Sequence, residues 1–138
     1  MNKKSEDKIY RVIDVNFNRA REGLRVIEDT MRFIFEDEKF SNELRNLRHK
    51  LSNVIRKIYP NIIQSRDCEN DFGKENREKR YRSIDNIVIA NCKRVQESLR
   101  VLEEYSRLIS TSANREFKNI RFKIYIFEKQ YMREKIDD

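Results

Sequence analysis

Residues 16–29 read NFNRAREGLRVIED, and residues 91–104 read NCKRVQESLRVLEE. Asn16, Arg19, Glu22, Leu24, Arg25, Val26 and Glu28 recur as Asn91, Arg94, Glu97, Leu99, Arg100, Val101 and Glu103, at the constant offset that separates 16 from 91. A looser echo follows downstream, where Leu47-Arg48-His49-Lys50-Leu51 is matched by Ile120-Arg121-Phe122-Lys123-Ile124, an offset shorter by two residues. Two matches in the same order predict a duplicated helical hairpin whose halves face each other across a pseudo-two-fold axis. A functional site then belongs where the repeated polar residues meet.

Around the first copy, Ile9, Ile13, Phe17, Ala20, Leu24, Ile27, Met31 and Ile34 step by three and four, the period of an amphipathic helix. Ser5 can cap it, with Glu6 and Asp7 in a first turn where the helix dipole favours negative charge. Gly23 in mid-helix costs about 1 kcal/mol relative to Ala. Its repeat mate, Ser98, is also small, so both positions predict the close approach of a partner helix. Phe40, Leu44, Leu47, Leu51, Val54 and Ile58 predict a second helix from about Phe40 to Tyr59, capped by Asp37 or Ser41 and stopped by Pro60. Ser83 caps a third, with Ile84, Val88, Cys92, Val95, Leu99, Leu102 and Ile109 on its apolar stripe. Residues 110–114 end that helix and start a fourth, carried by Phe117, Ile120, Ile124, Phe127 and Tyr131. Residues 120–127 alternate well enough for a strand, but their echo of the second helix assigns a helix. The expectation is an all-α bundle of four main helices. It forms one domain over residues 1–138, with repeat halves at about 5–59 and 83–134 and a long central loop at 60–82.

A chain of 138 residues buries a core without disulfide or metal staples. Two Gly and one Pro leave few places to turn, which favours long helices. Lys and Arg outnumber Asp and Glu by 31 to 24, a net charge of +7, so an anionic partner fits: a phosphorylated small molecule, a nucleic acid or a membrane surface. No window approaches the roughly 18 apolar residues of a membrane span, and no apolar leader opens the chain. Cys68 and Cys92 have no metal-like spacing. A soluble cytoplasmic protein is expected.

Asn16, Arg19 and Glu22 advance by three and share a helical face, as do Asn91, Arg94 and Glu97. Arg25 with Asp29, Glu28 with Arg32, Arg100 with Glu104 and Glu103 with Arg107 are spaced i,i+4; exposed pairs of that kind contribute only about 0.3–0.5 kcal/mol each. A surface ladder tolerates Lys for Arg and Asp for Glu, yet Asn-x-x-Arg-x-x-Glu keeps its identities in both copies of a diverged repeat. The planar fork of Arg, which grips phosphate or carboxylate with two bonds, is a reason for that. His49, the only histidine, lies between Arg48 and Lys50 and reads as a surface residue first and a substrate contact second. In the stretch 60–82, Arg66, Asp67, Asp71 and Gly73 concentrate a cation, two carboxylates and a glycine. Two such carboxylates suit Mg²⁺, a hard ion that takes oxygen ligands, although from pattern alone a solvated linker fits the stretch as well.

NFNRAREGLRVIEDTMRF, the Leu-Arg-His-Lys-Leu of 47–51, Ser-Arg-Asp-x-x-x-Asp-Phe-Gly at 65–73 and IANCKRVQESLRVLEEY at 89–105 together resemble one small all-helical module of bacterial thiamine biosynthesis. The resemblance covers about residues 11–128. It implies a hydroxymethylpyrimidine-phosphate kinase of the second type, a module also found at the N-terminus of some thiamine-phosphate synthases; this chain then reads as the stand-alone form. The implied reaction moves the γ-phosphoryl group of ATP onto 4-amino-5-hydroxymethyl-2-methylpyrimidine monophosphate. Cys68 and Phe72 depart from the Thr or Val-like residues expected there, and Phe17 and Cys92 from the usual Leu or Phe.

No glycine-rich cradle such as GxxxxGK[ST] or GxGxxG is present, so the phosphates need other partners. Phosphoryl transfer rests mainly on positioning and charge neutralisation, which Arg and Mg²⁺ supply. The expected roles are Arg19, Arg94 and Arg66 on phosphates, with Arg25, Arg100 and His49 as further substrate contacts. Asp67 and Asp71 would hold Mg²⁺, with Asp67 also counted as catalytic. Glu22 or Glu97 would orient or deprotonate a substrate hydroxyl, and Asn16 and Asn91 would read the aminopyrimidine edge. The competing expectations are a non-catalytic module that docks on a thiamine enzyme, such as the synthase, and a basic nucleic-acid-binding protein. The second is disfavoured because acids are interspersed throughout. Exposed Phe122 and Ile126 on the fourth helix make a homodimer reasonable.

Overall fold

Helix starts in this chain are set by side-chain oxygens that accept the otherwise orphaned N–H groups of a first turn. The computed structural model describes residues 1–58, 73 and 78–136. α1 spans Lys3–Asp29, capped by Asn2, whose side chain accepts from the Ser5 N–H at 2.9 Å. Asn2 therefore replaces Ser5 as the cap. α2 spans Glu38–Arg56 behind Asp37, which accepts from the Phe40 N–H at 2.8 Å. α3 spans Ile84–Ser106 behind Ser83, and α4 spans Thr111–Tyr131 behind Ser110, with cap bonds of 3.1 Å each. Residues 120–127 are inside α4 and helical, as the echo required. The expected stop at Pro60 lies outside the described residues, as do Arg66, Asp67, Cys68, Asp71 and Phe72.

A π turn, Thr30–Ile34, closes α1, and a second, Met132–Ile136, follows α4. The wider turn rotates the apolar stripe off its 3.6-residue period. Met31 stays buried, but Ile34 is exposed, which corrects its place in the predicted stripe. Glu36 then takes a left-handed conformation, φ 52°, and the chain reverses into α2.

Each helix packs on two neighbours, α1 on α2 and α3, α4 on α2 and α3, so the order round the bundle is α1, α2, α4, α3. Gly23 meets Asn91 and Val95, whereas Asn16 shares a cleft with Ser98 and Val101, so α1 and α3 run antiparallel. Phe40 stacks edge-on against Phe127 at 5.0 Å and Lys57 pairs with Glu116 at 3.2 Å, which makes α2 and α4 antiparallel too. The chain leaves α2 at one end of the bundle and enters α3 at the other, and this is why one connection has to be long. Inside, Ile13, Leu24, Ile27, Leu44, Leu51, Leu99, Leu102, Phe117 and Tyr131 are fully buried.

The pseudo-two-fold relation extends to buried charge. Arg48 donates from Nε to Glu28 at 2.8 Å and, in the other half, Arg121 forks onto Glu103, its Nη2 donating at 3.0 Å. These pairs correct the predicted ladder: Glu28 and Glu103 are not partnered by Arg32 and Arg107. Both carboxylates are buried and face the neighbouring helix, whose Arg makes the close pair with each; Arg100, on the same helix as Glu103, reaches it at 3.9 Å. A buried carboxylate needs such a partner; one left alone is strongly destabilising. The exposed pairs do form as spaced, Arg25 to Asp29 at 3.6 Å and Arg100 to Glu104 at 3.1 Å.

Candidate functional site

Gly23 decides where α1 and α3 touch. A Cβ there would sit 2.7 Å from Val95 Cγ2 and 3.4 Å from the Asn91 carbonyl oxygen, so only glycine admits this approach. Its mate Ser98 is buried in the same seam. The contact carries both copies of Asn-x-x-Arg-x-x-Glu to one place. A cleft of about 490 Å³ opens on the seam, lined by Asn16, Arg19, Glu22, Arg94, Glu97, Ser98 and Val101, with Glu78 at its rim.

The floor and the walls differ in character. Asn16 and Asn91 are buried, and their amide nitrogens donate to carbonyls one turn back, Asn16 to Val12 at 2.9 Å and Asn91 to Ile87 at 2.8 Å. Such back-bonding fixes the amide. Asn91 Oδ1 accepts from Arg94 Nη1 at 3.4 Å, so this asparagine orients an arginine. Arg19, Arg94, Glu22 and Glu97 are exposed on the walls. Among the described residues none of these four has an ion pair, although Arg25, Arg48, Arg100, Arg107 and Arg121 all do. The cleft thus holds two guanidiniums, one from each repeat, that have no ion pair among the described residues.

Other predicted residues fall elsewhere. Arg25 is exposed on α1 beside Asp29 and is not in the cleft lining. Arg100 lines a neighbouring cleft with Lys93, Gln96, Arg121 and Tyr125, which meets the first at Glu97. His49 is exposed on α2, away from both. Arg66, Asp67 and Asp71 lie outside the described residues. Among the described residues no three His, Cys, Asp or Glu side chains come together as a metal site. Glu78 and Val101 are cleft residues that sequence reasoning missed. Val101 was legible as the mate of Val26, but Glu78 carries no repeat signal.

The ThiD2 family model matches residues 11–130. The chain belongs to the ThiD2 family. It is similar to proteins named thiamine-phosphate synthase: 37% identical over 127 residues to that of Nostoc punctiforme, 40% over 124 to that of Prochlorococcus marinus strain AS9601 and 39% over 126 to that of Synechococcus sp. strain CC9605. These alignments cover 90%, 88% and 89% of this chain but 35%, 34% and 35% of the relatives, so the chain spans about a third of their length. No solved structure matches it. Among the described residues no helix is long and apolar enough to cross a membrane.

Proposed function

We propose that this member of the ThiD2 family acts in thiamine biosynthesis as a kinase, transferring the γ-phosphoryl group of ATP to hydroxymethylpyrimidine monophosphate to give the diphosphate. The observation that carries the reading is the pair of arginines, Arg19 and Arg94, on the walls of one cleft and without an ion pair among the described residues. Donor and acceptor are both phosphorylated and repel each other. A cleft that brings them together needs at least two cations, and the duplicated repeat supplies one from each half. Arg is suited to this because its fork binds phosphate oxygens in pairs.

The acceptor chemistry revises one expected role. The hydroxyl of the monophosphate is already esterified, so the attacking atom is a phosphate oxygen that carries no proton needing removal at neutral pH. Glu22 and Glu97 are therefore not bases towards a hydroxyl. They flank the arginines and the aminopyrimidine, where a carboxylate accepts from an exocyclic amine. Asn91 acts through Arg94 by holding its guanidinium, and Asn16, as its repeat mate, takes the same role towards Arg19. Mg²⁺, arriving with ATP, would neutralise phosphate charge, and Asp67 and Asp71 are the proposed oxygen ligands on sequence grounds. Kinship to the synthases supports the pathway assignment, because a synthase of thiamine phosphate consumes the pyrimidine as its diphosphate.

Arg19→Lys and Arg94→Lys test the arginine roles. Each is expected to lower kcat/KM by about 10²–10³, the usual cost of losing one preorganised donor to developing charge, with the melting temperature unchanged. Wild-type rates in both variants would sink the assignment. The unphosphorylated alcohol should be a poor acceptor, since it leaves one arginine without a phosphate.

A further inference from the structure

On the far side of the bundle, α2 and α4 carry a second set of repeated polar residues. The echo starts earlier than residue 47: Glu43-x-x-Asn46-Leu47-Arg48-x-Lys50 is matched by Glu116-x-x-Asn119-Ile120-Arg121-x-Lys123. Arg48 and Arg121 are engaged by their buried glutamates, which explains their retention. Packing does not explain Asn46, Lys50, Asn119 and Lys123, which are all exposed. They line two grooves along the α2–α4 seam. One, of about 270 Å³, includes Glu43, Asn46, Lys50 and Lys123; the other, of about 300 Å³, includes Glu116, Asn119, Lys123 and Lys50.

The pseudo-two-fold exchanges the two grooves, and both lysines line both, so the axis passes between their ammonium groups. The Lys123 ammonium beside Lys50 repels its charge, which lowers the Lys50 pKa below the usual lysine range. Neither lysine has an ion pair among the described residues. Glu116 is engaged by Lys57 at 3.2 Å, so among the described residues the grooves set one carboxylate without an ion pair, Glu43, against the two lysines. Like charges in contact are destabilising, and a diverging repeat would replace one of them unless both are used.

We propose that Lys50 and Lys123 form an oxyanion site at the α2–α4 seam, which takes a phosphate or diphosphate group between the two ammoniums, with the Asn46 and Asn119 amides donating from either side. A dianion accepts from both ammoniums at once and replaces their repulsion with two charge-assisted hydrogen bonds. The site lies across the bundle from the Arg19–Arg94 cleft and stands independently of the kinase reading.

Inorganic phosphate, inorganic diphosphate and ATP would be titrated separately into the ¹⁵N-labelled chain and into the Lys50→Gln, Lys123→Gln and Arg94→Lys variants. Diphosphate is expected to shift the resonances of residues around Lys50 and Lys123, and each Gln variant to weaken that binding at least tenfold. Arg94→Lys should leave those shifts unchanged. Because Gln removes the repulsion, the ligand-free Gln variants should melt no lower than wild type. A larger response to ATP would assign a nucleotide; an equal one would assign the free diphosphate group. Equal binding by the Lys50→Gln/Lys123→Gln double variant, or shifts confined to Arg19 and Arg94, would overturn the proposal.

Discussion

Gly23 trades helix propensity for proximity. Alanine there gains about 1 kcal/mol of propensity, but its Cβ would meet the Val95 side chain, which is β-branched, fully buried and unable to turn aside. Overpacking of that kind costs roughly 1–3 kcal/mol. Gly23→Ala is therefore expected to lower the unfolding free energy by about 1 kcal/mol in urea denaturation, against the direction that propensity alone gives. Gly23→Ala/Val95→Ala should lose less than the sum of the two single changes, and strict additivity would contradict the contact. Glu36 gives the opposite case. Its φ of 52° is a conformation that glycine adopts freely, so Glu36→Gly should raise stability by roughly 0.5–1 kcal/mol in the same measurement. Cys92 lies fully buried, and burial pushes its thiol up to about 12, with the Glu128 carboxylate adding to the rise. The native chain should accordingly leave Cys92 unalkylated at pH 8, as peptide mapping after iodoacetamide would show.

At the level of elements, the helix caps and the buried ion pairs hold the two hairpins. Burial works to raise the Asp37 pKa, but the Phe40 N–H and the Lys135 ammonium, at 3.1 Å, outweigh it and hold the carboxyl below its ordinary value of 3.8. A depressed pKa stabilises the fold above the unfolded-state value and loses that contribution as pH falls through the folded one. Acid titration of the melting temperature from pH 5 down to about 2.5 should show a loss beginning near pH 4, where the unfolded carboxyl takes up its proton, and Asp37→Asn should reduce its amplitude. Equal slopes for the two proteins would remove Asp37 from the account. The Glu103–Arg121 pair is predicted to respond differently to single and double changes. Glu103→Ala leaves Arg121 partly buried without its partner and should cost about 3–5 kcal/mol, whereas Glu103→Leu/Arg121→Met should recover most of that loss.

At the scale of the whole molecule, most of the architecture was legible in the chain. The three-and-four spacing of apolar residues gave four helices, and the repeat showed that 120–127 is helical despite its strand-like alternation. Three of the observed caps, Asp37, Ser83 and Ser110, were visible as small polar residues ahead of a periodic run. Other features depend on geometry that spacing does not contain. The π turn after Asp29 moved Ile34 out of the stripe, and the inter-helix partners of Glu28 and Glu103 are distant in sequence. Within the cleft, the repeat foretold Asn16, Arg19, Glu22, Asn91, Arg94 and Glu97 meeting face to face, because antiparallel packing around Gly23 superposes the two copies. Arg25, Arg100 and His49 share the repeats but point to other faces of their helices. Motif membership could not distinguish them; helical phase could.

In the proposed reaction two phosphates meet between Arg19 and Arg94. That reaction is tested most directly by ³¹P NMR of the purified chain with Mg²⁺-ATP and hydroxymethylpyrimidine monophosphate. The monophosphate resonance is expected to be replaced by the coupled pair of a diphosphate ester as ADP accumulates. ATP and monophosphate that persist unchanged, with neither ligand raising the melting temperature, would contradict the proposal.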